Sequence, residues 1–337
     1  MKFKNIFFRS VSITGVPIFG LLIFIVALFQ FVVPIFNATV GDYITNLVPV
    51  LLLTVGATIV IIGGSIDLSI GTVCGLSAGI TMWTLASGLP TALSIFLGVA
   101  TGAFFGLING FLITRFGIND FIATLATLNI SGGLLIVLSQ ATELYGAESE
   151  FFTSLVYGTF FGIPTSFFIA GAIILLMQFL LLKTILGRRI FAMGNSGAAA
   201  NVAGINIRNV KLATFVLSGT LAGCAGVLLA SRLGGVQAFL GLGYEFTAIA
   251  GAVVGGVSLA GGRGSAAAAL AGGLFIGTLA QGLQLIGVEP IFFGIVSGLA
   301  LIIGVIFDQK IQDIGQLRSR FDSRDLAQPP RKEGERG

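Results

Sequence analysis

The chain has 337 residues, 55% of them hydrophobic and only 9% charged, with a mean hydropathy of +1.03 and a net charge of +4. A soluble domain carries about one quarter charged residues, so this composition describes a protein that crosses a membrane many times. It has no histidine, two cysteines that both fall in apolar runs, and no Gly-x-x-x-x-Gly-Lys-Ser/Thr loop. The usual general base, a disulfide or metal framework and a cradle for ATP phosphates are therefore missing, which argues against an enzyme. Basic residues flank apolar runs instead of forming one face, which argues against nucleic acid.

A hydrocarbon core about 30 Å thick takes about 20 apolar residues to cross as a helix. Runs of that kind fall at 14–36, 44–63, 67–87, 91–114, 119–140, 164–183, 211–232, 245–262, 265–286 and 290–308. The fold class expected is all-α and integral to the membrane, with about ten transmembrane helices. The first run is too long for a signal peptide and is followed by no small-residue cleavage site. With the N-terminus cytoplasmic, Lys2, Lys4, Arg9, Arg115, Lys183, Arg188, Arg189, Arg208, Lys211, Arg263 and the seven basic residues of the tail lie inside, and only Arg232 lies outside. Asp42, Glu143, Glu148, Glu150, Glu245 and Glu289 fall outside, the distribution expected of the positive-inside rule. The segments expected are a cytoplasmic N-terminus over 1–13, a transmembrane domain over 14–308 with a cytoplasmic loop at 183–211, and a partly disordered cytoplasmic tail over 309–337.

Between the second and third runs, Gly63 to Gly71 reads GGSIDLSIG. A carboxylate at mid-bilayer costs about 2.5–3.5 kcal/mol, so Asp67 belongs at a helix break or interface, where it either caps the next helix or contacts substrate. Glu245, at the start of the eighth run, has the same two roles open to it. In the fourth run Gly98, Gly102, Gly106 and Gly110 share one helix face, a stripe that either packs against another helix or lines a pathway. Intramembrane amides at Asn109, Asn129, Gln281 and Gln284 either bond a neighbouring helix or face a pathway. The central loop contains a short amphipathic helix from Ala198 to Ala203, closed by Gly204, suited to a groove on a soluble partner or to the lipid surface. Matches between the fourth and ninth runs, and between Gly64-Ser65-Ile66-Asp67-Leu68 and Gly243-Tyr244-Glu245-Phe246, suggest two inverted pseudo-repeats.

Five stretches now bear comparison as a set: GGSIDLSIG at 63–71, GINDFIATLATLNISGG at 117–133, LGRRIFAMGNSGAAANVAGINIRNVK at 186–211, LSGTLAGCAGVLLASRLG at 217–234 and GLGYEFTAIAGAVVGGVSLAGGRGS at 241–265. In this order they resemble the permease subunits of ATP-binding-cassette (ABC) importers for simple sugars such as ribose, galactose and xylose. The resemblance implies a chain without its own cofactor that moves a monosaccharide or similar neutral polyol across the cell inner membrane. Its partners would be an ABC ATPase subunit carrying ATP and Mg, a second permease, identical or sister, and an extracytoplasmic substrate-binding protein. It also implies that 187–205 couples to the ATPase, through Gly187, Arg188, Arg189, Gly194, Asn195, Ala199, Ala200, Gly204 and Ile205. The chain departs from the family pattern at Asn195 to Asn201, where an acid and an arginine are missing, at Asp120 in place of proline and at Ser131 in place of arginine. Permeases for nucleosides or amino acids are the nearest alternatives. An ion-coupled secondary carrier, with Asp67 as its acid, is the alternative of another class.

Overall fold

A computed structural model of the protein describes residues 40–147, 149–289, 292–306 and 309. The expected N-terminus at 1–13, the run at 14–36 and the tail from 310 onward lie outside the described residues. The chain from Val40 is helical almost throughout: α1 (Val40–Ile62), α2 (Ile70–Ala86), α3 (Thr91–Phe116), α4 (Asp120–Ser139), α5 (Glu150–Tyr157), α6 (Thr165–Lys183), α7 (Ile185–Asn195), α8 (Gly197–Val202), α9 (Ile207–Leu233), α10 (Tyr244–Val254), α11 (Ala266–Leu285) and α12 (Phe293–Ile306). Two short strand pairs interrupt it, joining Leu144–Tyr145 to Gly235–Val236 and Thr159–Phe160 to Ile163–Pro164, both antiparallel.

Local sequence explains the boundaries. Polar residues stand where helices begin and satisfy their free N–H groups: Asn119 accepts from Phe121 N, Thr184 from Gly187 N, Ser196 from Ala199 N, Asn206 from Asn209 N and Ser265 from Ala268 N. α3 ends on Gly117 and α9 on Gly234, both left-handed, with φ of 69° and 67°.

Six of these helices are long and apolar enough to cross a membrane: α1, α3, α4, α6, α9 and α11. The runs at 67–87 and 245–262 shorten to α2 (17 residues) and α10 (11 residues), and the described part of the run at 290–308 holds Phe293–Ile306. Between 245 and 262 the chain is as apolar as a span, but Gly256, Gly261 and Gly262 adopt positive φ and turn it. Hydropathy registers the apolar residues and is blind to the turn. The loop at 183–211 likewise holds two helices, α7 and α8, where one short helix over 198–203 was expected.

Of these six long helices, α1 and α9 are the most enclosed. α9 lies across α3, α2 and α1, and the glycine stripe of α3 is what lets it approach. A Cβ on Gly102 would stand 2.2 Å from Gly219 O, and one on Gly106 2.3 Å from Phe215 O. The stripe is therefore a packing seam, backbone against backbone, in the manner of small-residue helix interfaces in lipid. α10 and α11 repeat the arrangement, with a Cβ on Gly272 only 1.9 Å from Gly251 O. Outward faces of α3, α4 and α6 carry exposed Phe104, Phe111, Ile122, Val137, Leu175 and Phe179, as a lipid-facing surface requires.

Candidate functional site

Among the helices too short to span, α2 and α10 stand out. α2 is about 25 Å long and α10 about 16 Å, against a core of about 30 Å. Their N-terminal ends meet inside the bundle. The loop before α10 lies directly on the first turns of α2: a Cβ on Gly71 would be 2.4 Å from Gly241 O, and one on Gly75 would be 1.9 Å from Leu240 O. Each of these helix starts carries a buried carboxylate, Asp67 at 3% exposure and Glu245 at 2%. α2 is reached from the end of the bundle where α1 finishes, and α10 from the end where α9 finishes, so the two half-helices run into the protein from opposite sides.

Asp67 is held on both oxygens. Oδ1 accepts from Ser69 N at 3.0 Å and from Ser69 Oγ at 2.7 Å, and Oδ2 accepts from Ser218 Oγ of α9 at 2.9 Å. Ser69 Oγ in turn accepts from Asn109 Nδ2 of α3 at 2.8 Å, and Asn109 Oδ1 accepts from Thr127 Oγ1 of α4 at 2.6 Å. One helix turn on, Ser131 Oγ donates to Thr72 Oγ1 at 2.8 Å. The chain of bonds ties α2, α3, α4 and α9 around the break, with every one of these side chains buried. A buried polar network satisfied at each member specifies one arrangement of its helices, because a slipped helix strands several donors together. Glu245 has a simpler setting: both oxygens accept from Gly243 N, at 3.2 and 3.1 Å, and Oε2 rests against Gly71.

The basic residues gather at the other feature, the end of the bundle carrying Arg115, Lys183, Arg188, Arg189, Arg208, Lys211 and Arg263. There α7 turns sharply off α6. Gly187 is buried at the bend, where a Cβ would meet Leu181 O at 2.2 Å, while Arg188 and Arg189 point outward. α7 ends at Gly194 and Asn195, and Ser196, with φ −163° and ψ 103°, swings the chain into α8. α8 seats Ala200 in the protein and leaves Ala198, Ala199, Asn201 and Val202 exposed, Val202 by 90%. Gly204, with φ +81°, ends the excursion, and half-buried Ile205 packs against the core. Beside this loop, Lys211 Nζ bridges Asp120 Oδ2 at 3.0 Å, tying the starts of α9 and α4.

Residues 39–305 match the protein family described as branched-chain amino acid transport system / permease component. This chain belongs to that permease family. It is 38% identical over 260 residues to the ribose import permease protein of Bacillus subtilis (strain 168), covering 77% of this chain and 81% of the relative. It is 34% identical over 298 residues to the D-allose transport system permease protein of Escherichia coli (strain K12), covering 87% and 91%. It is also 37% identical over 250 residues to the L-arabinose transport system permease protein of the same strain, covering 73% and 75%. No solved structure matches it. The protein is a multi-pass membrane permease, a transport component and not an enzyme.

The permease distributes its sequence-predicted residues unevenly. Asp67 and Asn109 are joined through Ser69, and Asp67 and Glu245 flank the first turn of α2. Asn129 is elsewhere: it is exposed on α4 and its Nδ2 folds back onto Leu125 O at 2.9 Å. Gln281 is half-buried on α11, with an Oε1 that is buried and has no hydrogen-bond partner among the described residues; Gln284 is exposed near the helix end. Ser69, Ser218, Thr127, Thr72 and Ser131 complete the network, and sequence reasoning did not single them out for it. Their hydroxyls are common in membrane helices, where most bond their own backbone four residues back, so position alone does not mark those that reach across. Two of the three departures from the family pattern also have partners here: Asp120 meets Lys211, and Ser131 fills a fully buried place beside Thr72.

Proposed function

We propose that this permease is the transmembrane subunit of an ATP-driven importer for a monosaccharide or a similar small neutral polyol. The observation that carries the substrate class is the set of relatives matched over most of their length, whose names specify ribose, D-allose and L-arabinose. The structure is compatible with a neutral cargo, since the polar side chains buried in the bundle are mostly hydroxyls.

In this reading the chain crosses the inner membrane about ten times, with 14–308 as the permease domain and with 1–13 and 309–337 in the cytoplasm. The opposed half-helices α2 and α10 support two inverted pseudo-repeats, an arrangement that builds two access states around one pathway. ATP and Mg belong to a separate ATPase subunit, which docks on α7 and α8 through Arg188, Arg189, Asn195 and Ala199. A short helix presenting Ala198, Ala199 and Val202 to water suits the groove of a soluble partner. A second permease completes the membrane unit, and an extracytoplasmic binding protein captures the sugar. Gln281, with an uncommitted buried oxygen, is the best pathway candidate of the four amides, ahead of Asn129 and Gln284.

The test has two parts. The chain is purified from its native membrane in mild detergent and its companions are identified by mass spectrometry. Uptake of labelled ribose, allose, arabinose and leucine is then measured in cells with and without the chain. Recovery of a nucleotide-binding subunit together with chain-dependent sugar uptake supports the reading. Uptake of leucine in place of sugar overturns the substrate class, and uptake that survives ATP depletion but follows an ion gradient overturns the importer.

A further inference from the structure

At the basic end of the bundle three segments distant in sequence meet largely backbone to backbone. The last carbonyl of α1, Ile62 O, accepts a hydrogen bond from Gly262 N at 2.8 Å. Gly262 belongs to the turn that joins α10 to α11, closed by the bond from Ser258 N to Arg263 O at 3.1 Å. Gly194, near the end of α7, is seated over this same bond: a Cβ there would fall 1.8 Å from Ile62 O and 2.5 Å from Gly262 N. Gly261 closes the contact, since a Cβ on it would lie 2.9 Å from Gly194 O and 3.0 Å from Gly64 Cα. A Cβ on Gly262 would come 2.4 Å from Asn195 Oδ1. Gly261 and Gly262 both have positive φ, 86° and 71°, so the turn reaches this position by a backbone path that L residues rarely take.

Resting on the function proposed above, we infer that Gly194, Gly261 and Gly262 form a backbone clamp that makes α7, the end of α1 and the 258–263 turn one rigid body. The loop that receives the partner's motion is thereby fastened to both halves of the permease at a single point. On one side of the clamp, Ile62 leads within five residues to Asp67 and its network. On the other, the turn is the direct continuation of α10. Ser196, extended between α7 and α8, lies just outside the clamp. A displacement of α8 therefore acts on the approach to α2 and on the foot of α10 together, which is what two broken helices need in order to tilt in concert. Contact through backbone suits this role, because close-packed backbone has few alternative arrangements in which to lose the movement.

Two experiments decide it, both on the permease in complex with its co-purified ATPase. In the first, Gly194→Ala is compared with Gly171→Ala, a glycine in α6 whose added Cβ would meet nothing within 4 Å. Gly194→Ala is expected to keep the ATPase subunit but to lower uptake of labelled ribose, allose and arabinose by about tenfold or more, while Gly171→Ala transports as the parent does. In the second, spin labels at Ile185→Cys and Arg263→Cys, with Cys74 and Cys224 replaced by alanine, report the distance across the clamp by double electron–electron resonance. That distance is expected to be the same in the nucleotide-free and ATP-bound complexes and to broaden when Gly194→Ala is added. Unimpaired uptake by Gly194→Ala, or an ATP-dependent shift of the 185–263 distance in the otherwise native complex, overturns the inference. Should Gly194→Ala fail to reach the membrane, the distance across the unmodified clamp decides alone. If no ATPase subunit accompanies even the parent chain, the importer reading falls first and the clamp's role falls with it.

Discussion

Replacing Asp67 separates a structural strut from a titrating acid. Its carboxylate accepts three hydrogen bonds, from Ser69 N, Ser69 Oγ and Ser218 Oγ, at 3.0, 2.7 and 2.9 Å. Asp67→Asn keeps an acceptor oxygen for the two Ser69 donors and turns an NH2 towards Ser218, whose hydroxyl can rotate to accept it. Three contacts survive, so the expected loss of stability is about 1 kcal/mol. Asp67→Ala leaves the Ser69 N–H and both hydroxyl protons without partners in a closed interior. At about 1–3 kcal/mol for each stranded group, the loss is about 5 kcal/mol after some relaxation. Thermal unfolding of the purified permease in detergent, followed by intrinsic fluorescence, measures the difference, and ATP-dependent sugar uptake is measured beside it. The expected result is near-parental uptake with Asp67→Asn and loss of folded protein with Asp67→Ala. Equal stability of the two variants would refute the network argument. A stable, assembled Asp67→Asn that no longer transports would show that the acid itself takes part in transport, as in an ion-coupled carrier.

The α3–α9 seam gives a second test: Gly102→Ala, whose Cβ would press within 2.2 Å of Gly219 O, should cost about 1–3 kcal/mol by overpacking. Gly133→Ala, with nothing within 4 Å, should leave the unfolding temperature at or above that of the parent. The Lys211–Asp120 bridge has side chains 23% and 21% exposed, so a double-mutant cycle in detergent should give a coupling of about 1 kcal/mol or less. Gln281→Leu removes a buried oxygen that has no partner among the described residues, so it should not destabilise the protein. A drop in uptake at unchanged stability would assign Gln281 to the pathway, and unchanged uptake would remove it. On the loop after α4, the Tyr145 hydroxyl donates to Glu143, which holds the phenol above its ordinary pKa of 10.0. Its ultraviolet titration should start at higher pH than that of free tyrosine, and Glu143→Gln should bring it back down.

What hydropathy and charge could determine was the material of the protein: a helical membrane chain, the ends of its long helices, and the uneven placing of basic residues. These are properties of single segments, set by the energy of each in lipid or water. Motifs in order along the chain also suffice for the family, because they do not depend on how the segments pack. Several things were decided only by tertiary structure. The run at 245–262 is mostly apolar, yet it turns back on itself after Val254, because glycines at 256, 261 and 262 can take positive φ and the turn has Ile62 O of α1 to bond to and α7 to pack against. The helix over 185–195 contains Gly187 and Gly194, poor helix formers in isolation, and forms because each glycine admits a backbone contact that no other residue could. Asp67 and Asn109 looked like separate polar residues of different helices; the fold places Ser69 between them and Ser218 across from them. A hydroxyl or a glycine carries little information along the sequence, since its worth depends on which backbone or carboxylate arrives opposite it. The crossing of α9 over α1, α2 and α3 makes that choice, and it exists only when the long-range contacts form together.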